Sequence, residues 1–226
     1  MTRLALFDLD HTLLPIDSDH EWGRFLVRLG VVDRQHYESE NERFYSQYKA
    51  GTLDIKEFLR FALQPLAQHS QQELQAWHEE FMTTIILPNI KPAALDLVKK
   101  HQDAHDLCCV ITATNSFVTR PIALAFGISE LVATEPQKIS HEGTEQFTGE
   151  VEGIPSFKEG KVIRLKEWLH SKQLNWQDLE KSYFYSDSIN DLPLLEQVHQ
   201  PIATNPDDRL KKIASERGWP ILQLFS

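Results

Sequence analysis

Two aspartates separated by one leucine, Asp8 and Asp10, close the apolar run "LALF" near the start of the chain. Charged side chains are rarely buried without a partner, and residues two apart on an extended segment share a side. A strand end therefore presents two carboxylates together. A second apolar run, "LCCVIT", ends in Thr112, followed by Ala113, Thr114 and Asn115. A third, "SYFYS", leads into "DSIND", which places Asp187 and Asp191 four residues apart across a strand-to-helix turn. Four acids on one rim repel one another, since like charges ~4 Å apart cost roughly 4 kcal/mol at an effective dielectric of 20. A hard divalent cation removes that cost, and Mg²⁺ suits one or two carboxylates combined with a phosphate. Helix capping is the competing explanation, because acids favour helix N-termini. It serves for Asp191 alone but not for all four acids.

These residues meet only if their strands lie side by side. From Pro92 onward helical and strand patterns alternate: "PAALDLVKKH" reads as helix, "LCCVIT" as strand, "KVIRLKEWLHS" as amphipathic helix, "SYFYSD" as strand, "NDLPLLEQV" as helix, "QPIATN" as strand and "DDRLKKIASERG" as helix. That alternation predicts an α/β fold with a doubly wound parallel sheet, whose ligands bind beyond the carboxyl ends of the strands. "KISHEGTEQFTGEV" reads as a hairpin turning near Glu142-Gly143, and Pro121 suggests a late start for the helix in "FVTRPIALAF". Residues 15–88 differ. Trp22, Phe25, Leu26 and Leu29 repeat at helical spacing before Gly30, Ile55, Phe58, Leu59 and Ala62 follow Asp54, and Leu74, Trp77 and Phe81 follow Ser70. The expected organisation is a core of residues 1–14 plus 89–226, with a helical cap of residues 15–88 inserted after the first strand.

The totals exclude other functions. Of 226 residues, 33 are acidic and 23 basic, giving a net charge of −10, so neither nucleic acid nor an anionic membrane surface is the expected main partner. An anionic substrate then needs locally placed cations. The only two cysteines, Cys108 and Cys109, are neighbours on a strand and point to opposite faces, which argues for reduced core residues. No apolar run approaches the ~20 residues of a membrane span, and "MTRLALFD" turns to strand pattern too early for a leader. A cytoplasmic protein is expected, while its oligomeric state carries no signature in these motifs.

The motifs together resemble the haloacid-dehalogenase superfamily, and its phosphoserine-phosphatase-like branch in particular. "DLDHT" is similar to the nucleophile signature D-x-D-x-T, "ITATN" to the second motif, and "DSIND" to the acidic fourth motif. "KEGKVIRL" supplies the lysine expected between the last two. "GEVEG" at 149–153 resembles a G-x-V-x-G segment that favours Lys161 over Lys158, with Lys158 still open. The resemblance implies a doubly wound core with a helical cap and phosphoryl transfer through an aspartyl-phosphate. It makes Asp8 the nucleophile, Asp10 the general acid and base, and Lys161 the phosphate lysine. Thr112, Ala113 and Thr114 would bind the phosphoryl group. Asp8, Asp10 (through its main-chain carbonyl), Asp187 and Asp191 would hold or steady Mg²⁺.

The same resemblance sets Asp17 where an acid recognises a substrate amine, and Arg60 where an arginine holds phosphate or carboxylate. A glutamate is commoner at the first position, which leaves histidinol phosphate beside phosphoserine as a candidate substrate. A solvated helix face is the plain alternative for Arg60. The implied function is hydrolysis of a small phosphorylated metabolite, with a phosphomutase using the same intermediate as the alternative. A non-catalytic binding module is disfavoured, because none of the acids or lysines is missing. Two other signals are coincidences: "GIPSFKEGKV" lacks the final Ser or Thr of a phosphate loop, and "HQDAH" lacks the glutamate of a zinc-protease helix. His11 replaces the small residue usual at its position in the family.

Overall fold

The computed structural model describes residues 2–141 and 144–225. Strand β1 (Thr2–Phe7) ends in four consecutive fully buried residues, Leu4 to Phe7, as a central strand covered on both faces requires. It is flanked in parallel by β2 (Leu107–Asn115) and β5 (Leu179–Ser186). With β3 (Glu130–His141), β4 (Thr144–Glu152), β6 (Gln200–Thr204) and β7 (Ile221–Leu222), the sheet runs β4-β3-β2-β1-β5-β6-β7. Only β3 and β4 pair antiparallel. This is the expected hairpin, whose turn at Glu142-Gly143 lies outside the described residues. Strands are added on one side of β1 by β2 to β4 and on the other by β5 to β7. The carboxyl end of β1 is therefore the switch point of the sheet.

Two apolar clusters cover the two faces. Ala5 and Phe7 pack with Ala94 and Val98 of α6 (Pro92–Asp103) and with Val118 and Ile122 of α7 (Ser116–Ala125). Leu4 and Leu6 pack with Val162 and Leu165 of α8 (Glu159–Ser171), Leu194 and Leu195 of α9 (Leu192–Leu195), and Leu210 of α10 (Asp208–Arg217). Cys109 belongs to the second cluster and Cys108 packs against the first, so the two free thiols do face opposite ways. Helix α7 begins earlier than Pro121 suggested. The Asn115 side chain accepts from the Val118 N–H and fixes the start at Ser116, so Pro121 sits inside the helix. The segment "NDLPLLEQV" is also less helical than expected, with a 3₁₀ turn, Ile189–Asp191, ahead of the single turn of α9.

Between β1 and α6 lie α1 (Ser18–Leu29), α2 (Arg34–Ala50), α3 (Ile55–Gln68) and α4 (Gln71–Phe81), then a π-helical stretch, Met82–Ile86, and the short α5 (Leu87–Asn89). Asp17, Asp33 and Asp54 cap the first three, and Ser70 with Glu73 forms a capping box on the fourth. This insertion is not packed as a separate body. Trp22, Phe25, Leu26, Phe81 and Ile86 share one buried cluster with Phe7 and Leu9, whereas Leu59, Leu63 and Leu66 of α3 lie against Phe147 and Val151 of β4.

The C-terminus of α2 is gripped by the rest of the chain. Asn190 Nδ2 donates to the Tyr48 carbonyl (3.4 Å), Arg209 Nη2 and Nη1 to those of Lys49 (2.7 Å) and Ala50 (3.1 Å), and Lys158 Nζ to that of Gly51 (3.2 Å). Terminal carbonyls have no partner within a helix, and cations are favoured at this end. Gly51 holds a left-handed conformation, φ 75°, and a Cβ there would stand 2.8 Å from Arg209 Nη1.

Because Phe81 is fully buried between the insertion and the sheet, Phe81→Ala is expected to cost about 3–5 kcal/mol. It should lower the midpoint of one shared transition in urea, followed by far-ultraviolet dichroism and tryptophan fluorescence. Separate transitions for the two signals would contradict a shared core.

Candidate active site

The carboxyl ends of β1, β2 and β5 bring the sequence-predicted residues together. Asp8, the residue after β1, is 4% exposed, and its Oδ1 accepts from Lys161 Nζ at 2.8 Å. The same ammonium donates to Asp191 Oδ2 at 2.7 Å, which also accepts from Ser186 Oγ at 2.7 Å. Thr12 spans to the other side. Its hydroxyl donates to Asp187 Oδ1 (3.2 Å), accepts from the Asp187 N–H (3.0 Å) and stands 3.5 Å from Asp8 Oδ2. Asp207 steadies this loop, with its N–H on the Asp187 carbonyl and its carboxylate accepting from the Ile189 and Leu210 N–H groups. Thr12, Ser186 and Asp207 were not singled out from sequence, although Thr12 is the threonine of "DLDHT".

Asp10 faces elsewhere. Its Oδ1 accepts from the Ser18 N–H (2.7 Å) and its Oδ2 from Thr114 Oγ1 (2.9 Å), which aims the carboxylate across the mouth of β2. Thr112 is buried, and its hydroxyl accepts from the Thr114 N–H (3.2 Å). The two lysines separate cleanly: Lys161 meets Asp8, whereas Lys158 holds the end of α2. Gly160 makes this possible, because a Cβ there would lie 2.0 Å from the Pro155 carbonyl oxygen, so α8 starts where it does only with glycine before Lys161. His11 has φ 56°, a left-handed conformation that glycine adopts without steric cost. Its carbonyl accepts from Asn205 Nδ2, and its ring reaches the Tyr45 hydroxyl at 3.5 Å.

A cavity extends from Asp8 and Asp10 under the insertion, lined by Asp17, Asp19, His20, Asn41, Phe44, Tyr45, Tyr48, Leu53, Ile55, Phe58, Thr112, Ala113, Thr114 and Phe157. Asp17 is where the sequence placed it, its carboxylate capping α1 by accepting from the His20 N–H at 2.9 Å. Arg60 is not. It is exposed on α3 and lines shallow clefts beside Gly149 and Glu150, because α3 turns Leu59 and Leu63 inward and so carries Arg60 outward. Sequence reasoning also missed α2, which supplies Asn41, Phe44, Tyr45 and Tyr48. Among the described residues that line this cavity there is no arginine or lysine.

Charge does not balance at the strand ends. Asp8, Asp187 and Asp191 share one buried ammonium. Burial foremost, with the charge of Asp191 adding to it against the pull of Lys161, pushes Asp8 up to about 7. Burial and then the Asp8 and Asp191 charges hold Asp187 well above the usual carboxylate range. Burial and then Asp17 push Asp10 up to about 6. Burial disfavours the Lys161 charge, yet Asp191 and Asp8 outweigh it and raise that group. An added divalent cation fits this excess of negative charge and its all-oxygen donors. Among the described residues no three acidic, histidine or cysteine side chains stand close enough to hold an ion unaided. Asp8 and Asp187 are the carboxylates that could hold such an ion, completed by main-chain, water or phosphate oxygens. Asp191 is already engaged with Lys161 and Ser186.

A family model described as haloacid dehalogenase-like hydrolase matches residues 5–196. A histidinol-phosphatase from Neisseria meningitidis serogroup C (strain 8013) is 47% identical over 222 residues, covering 98% of this chain and 99% of its own. A crystal structure of a protein of unknown function from Bordetella pertussis Tohama I superposes with a TM-score of 0.92 at 50% identity, covering each chain fully. A substrate-bound phosphoserine phosphatase structure superposes with a TM-score of 0.68 at 17% identity, covering 98% of this chain and 93% of its own. At that identity the likeness concerns the fold alone. No single helix among the described residues is long and apolar enough to cross a membrane.

The unbalanced charge has a measurable consequence. A carboxyl group raised by folding binds its proton more tightly folded than unfolded, so its stability contribution is lost as pH rises through the folded value. In metal-free buffer at pH 8, Asp187→Asn is expected to stabilise the protein by about 1 kcal/mol, roughly 2–4 °C for a chain of this size. The gain should shrink as pH is lowered toward 5.5, because the raised native carboxyl increasingly takes up a proton. Thermal melts of both proteins at the two pH values check this, and a destabilised variant at pH 8 would refute it.

Proposed function

This chain belongs to the haloacid dehalogenase-like hydrolases and is a phosphatase, and we propose that it hydrolyses a small amino-alcohol phosphomonoester without a carboxylate, histidinol phosphate being the best match. The observation that carries this reading is the cavity, which joins the reactive carboxylates to aromatic walls and further acids and has no arginine or lysine of its own. Phosphoserine brings a carboxylate into such a space. The ammonium groups near it are committed elsewhere: Lys161 to Asp8 and Asp191, Lys158 to the Gly51 carbonyl, and Lys49 to the Tyr45 ring at 4.0 Å from its centroid. An ester with an amine and an aromatic body meets acid with cation and ring with ring. The name of the Neisseria relative supports the same choice. A sugar phosphate, as a phosphomutase would need, matches these aromatic walls less well.

In this reading the insertion acts as the cap over the site. An Asp8 carboxylate oxygen attacks the phosphorus in line, and the ester P–O bond breaks as the aspartyl-phosphate forms. Asp10, held between the Ser18 N–H and the Thr114 hydroxyl, protonates the departing alkoxide. It then takes a proton from the water that attacks the aspartyl-phosphate, which regenerates Asp8. A carboxyl group near pH 6 can serve both as acid and as base. Lys161 neutralises charge on the phosphoryl oxygens, and Thr112 with the N–H groups that follow it donates to the same oxygens. Mg²⁺, when bound, would supply further charge neutralisation at the phosphoryl group, held by Asp8 and Asp187 with the Asp10 carbonyl and steadied by Asp191.

The test is phosphate release from L-histidinol phosphate, O-phospho-L-serine and glucose 1-phosphate, with Mg²⁺ and with chelator. Histidinol phosphate is expected to give the highest kcat/KM, chelator to abolish turnover, and Asp8→Asn to lower kcat at least 10³-fold. Preferred phosphoserine hydrolysis would overturn the carboxylate argument. Conversion of the sugar phosphate to an isomer without phosphate release would mark a mutase.

A further inference from the structure

Building on that substrate reading, we propose that Asp19 is a specificity-determining residue that accepts the ring N–H of the substrate's imidazole, while Asp17 takes its amine. The two acids stand on the same wall of the cavity but are held differently. Asp17 is the cap of α1 and has structural work on the His20 N–H. Asp19, in the first turn of α1, enters no hydrogen bond or ion pair with any described residue. An acid in a first turn gains from the helix dipole wherever it points, and Glu21 does so at the surface, paired with Arg24 at 3.0 Å. The dipole therefore does not account for an acid turned into the substrate cavity.

Asp19 is half-buried and lines the cavity, with no partner for its charge among the described residues. Burial first, then the charges of Asp17 and Asp10, hold the Asp19 carboxyl well above its ordinary range. The wall beside it is aromatic: the rings of His20 and Tyr45 lie 4.6 Å apart, and those of Phe44 and Phe58 5.4 Å apart. His20 contributes a second polar atom without a partner, since its buried Nδ1 has no hydrogen bond among the described residues. An acceptor without a donor, an unpartnered ring nitrogen and flat apolar walls together describe a receptor for a heteroaromatic ring with its own N–H. A phenyl ring of similar size fills the walls but leaves Asp19 without a donor. Sites built around a buried hydrogen bond reject analogues that lack it far more strongly than apolar pockets reject a missing methylene.

The experiment compares L-histidinol phosphate with L-phenylalaninol phosphate, which keeps the amine and loses the ring N–H, and uses p-nitrophenyl phosphate as an ester with neither. The wild-type enzyme is expected to prefer histidinol phosphate over phenylalaninol phosphate in kcat/KM by about 10²-fold or more. Asp19→Ala should shrink that preference at least tenfold, with an unchanged far-ultraviolet dichroism spectrum reporting an intact fold. Asp19→Asn, which keeps an acceptor without charge, should fall between. Asp17→Asn should weaken both amines alike. An unchanged preference in Asp19→Ala, or an equal loss on both amines, would overturn the assignment of Asp19 alone. If the wild-type enzyme favours neither amine over p-nitrophenyl phosphate, the substrate reading falls and Asp19 falls with it.

Discussion

One ammonium placed among three buried carboxylates is the constraint around which this protein is built. Lys161 bonds Asp8 and Asp191 at once, and each comes from a different stretch of chain: the end of β1, the turn after β5 and the start of α8. Without the ammonium, the acids at the switch point would drive each other apart or take up protons. With it, two of the three are compensated and Asp187 is left to Thr12. The residual negative charge costs stability, and it is also the feature that makes the site receptive to a divalent cation. Sites arranged for chemistry commonly carry such a penalty.

Much of the surrounding structure positions that ammonium. Gly160 lets the first turn of α8 approach the Pro155 carbonyl, and no residue with a side chain could follow the same path. Asp207 fixes the 187–191 loop from the start of α10, and Thr12 couples that loop to the segment after β1. These groups hold the strand-end acids in register with the parallel ladder of β1 with β2 and β5. The register is in turn secured by the apolar clusters on both faces of the sheet.

The strand-end acids were legible in the sequence because each follows an apolar run, and because a parallel sheet puts such ends on one rim. Asp8, Asp10, Thr112, Thr114, Asp187 and Asp191 are gathered for that reason, and Lys161 reaches them from the start of α8. The choice between Lys158 and Lys161 needed coordinates, since both lie in one short polar segment and only the turn at Lys158, with φ 50°, sends its side chain away. Helix α2 escaped notice for an instructive reason. Its inward positions include Asn41, Tyr45 and Tyr48, which line a cavity and not the apolar core, so the apolar periodicity that betrays a core-facing helix is weak. Arg60 misled in the opposite way: the spacing from Gly51 resembled the family pattern, but the apolar stripe of α3 governs which way the helix is turned.

The grip on the end of α2 falls on main-chain carbonyls, not on side chains. Asn190, Arg209 and Lys158 would find the same four oxygens whatever side chains α2 carried, provided that a glycine ended it. Attachment of the insertion and the lining of the cavity thereby fall to different groups of one helix, the main chain at its end and the side chains along it. Residues 41–48 could then change, and the cavity with them, without disturbing the grip on the helix end or the acids at the strand ends.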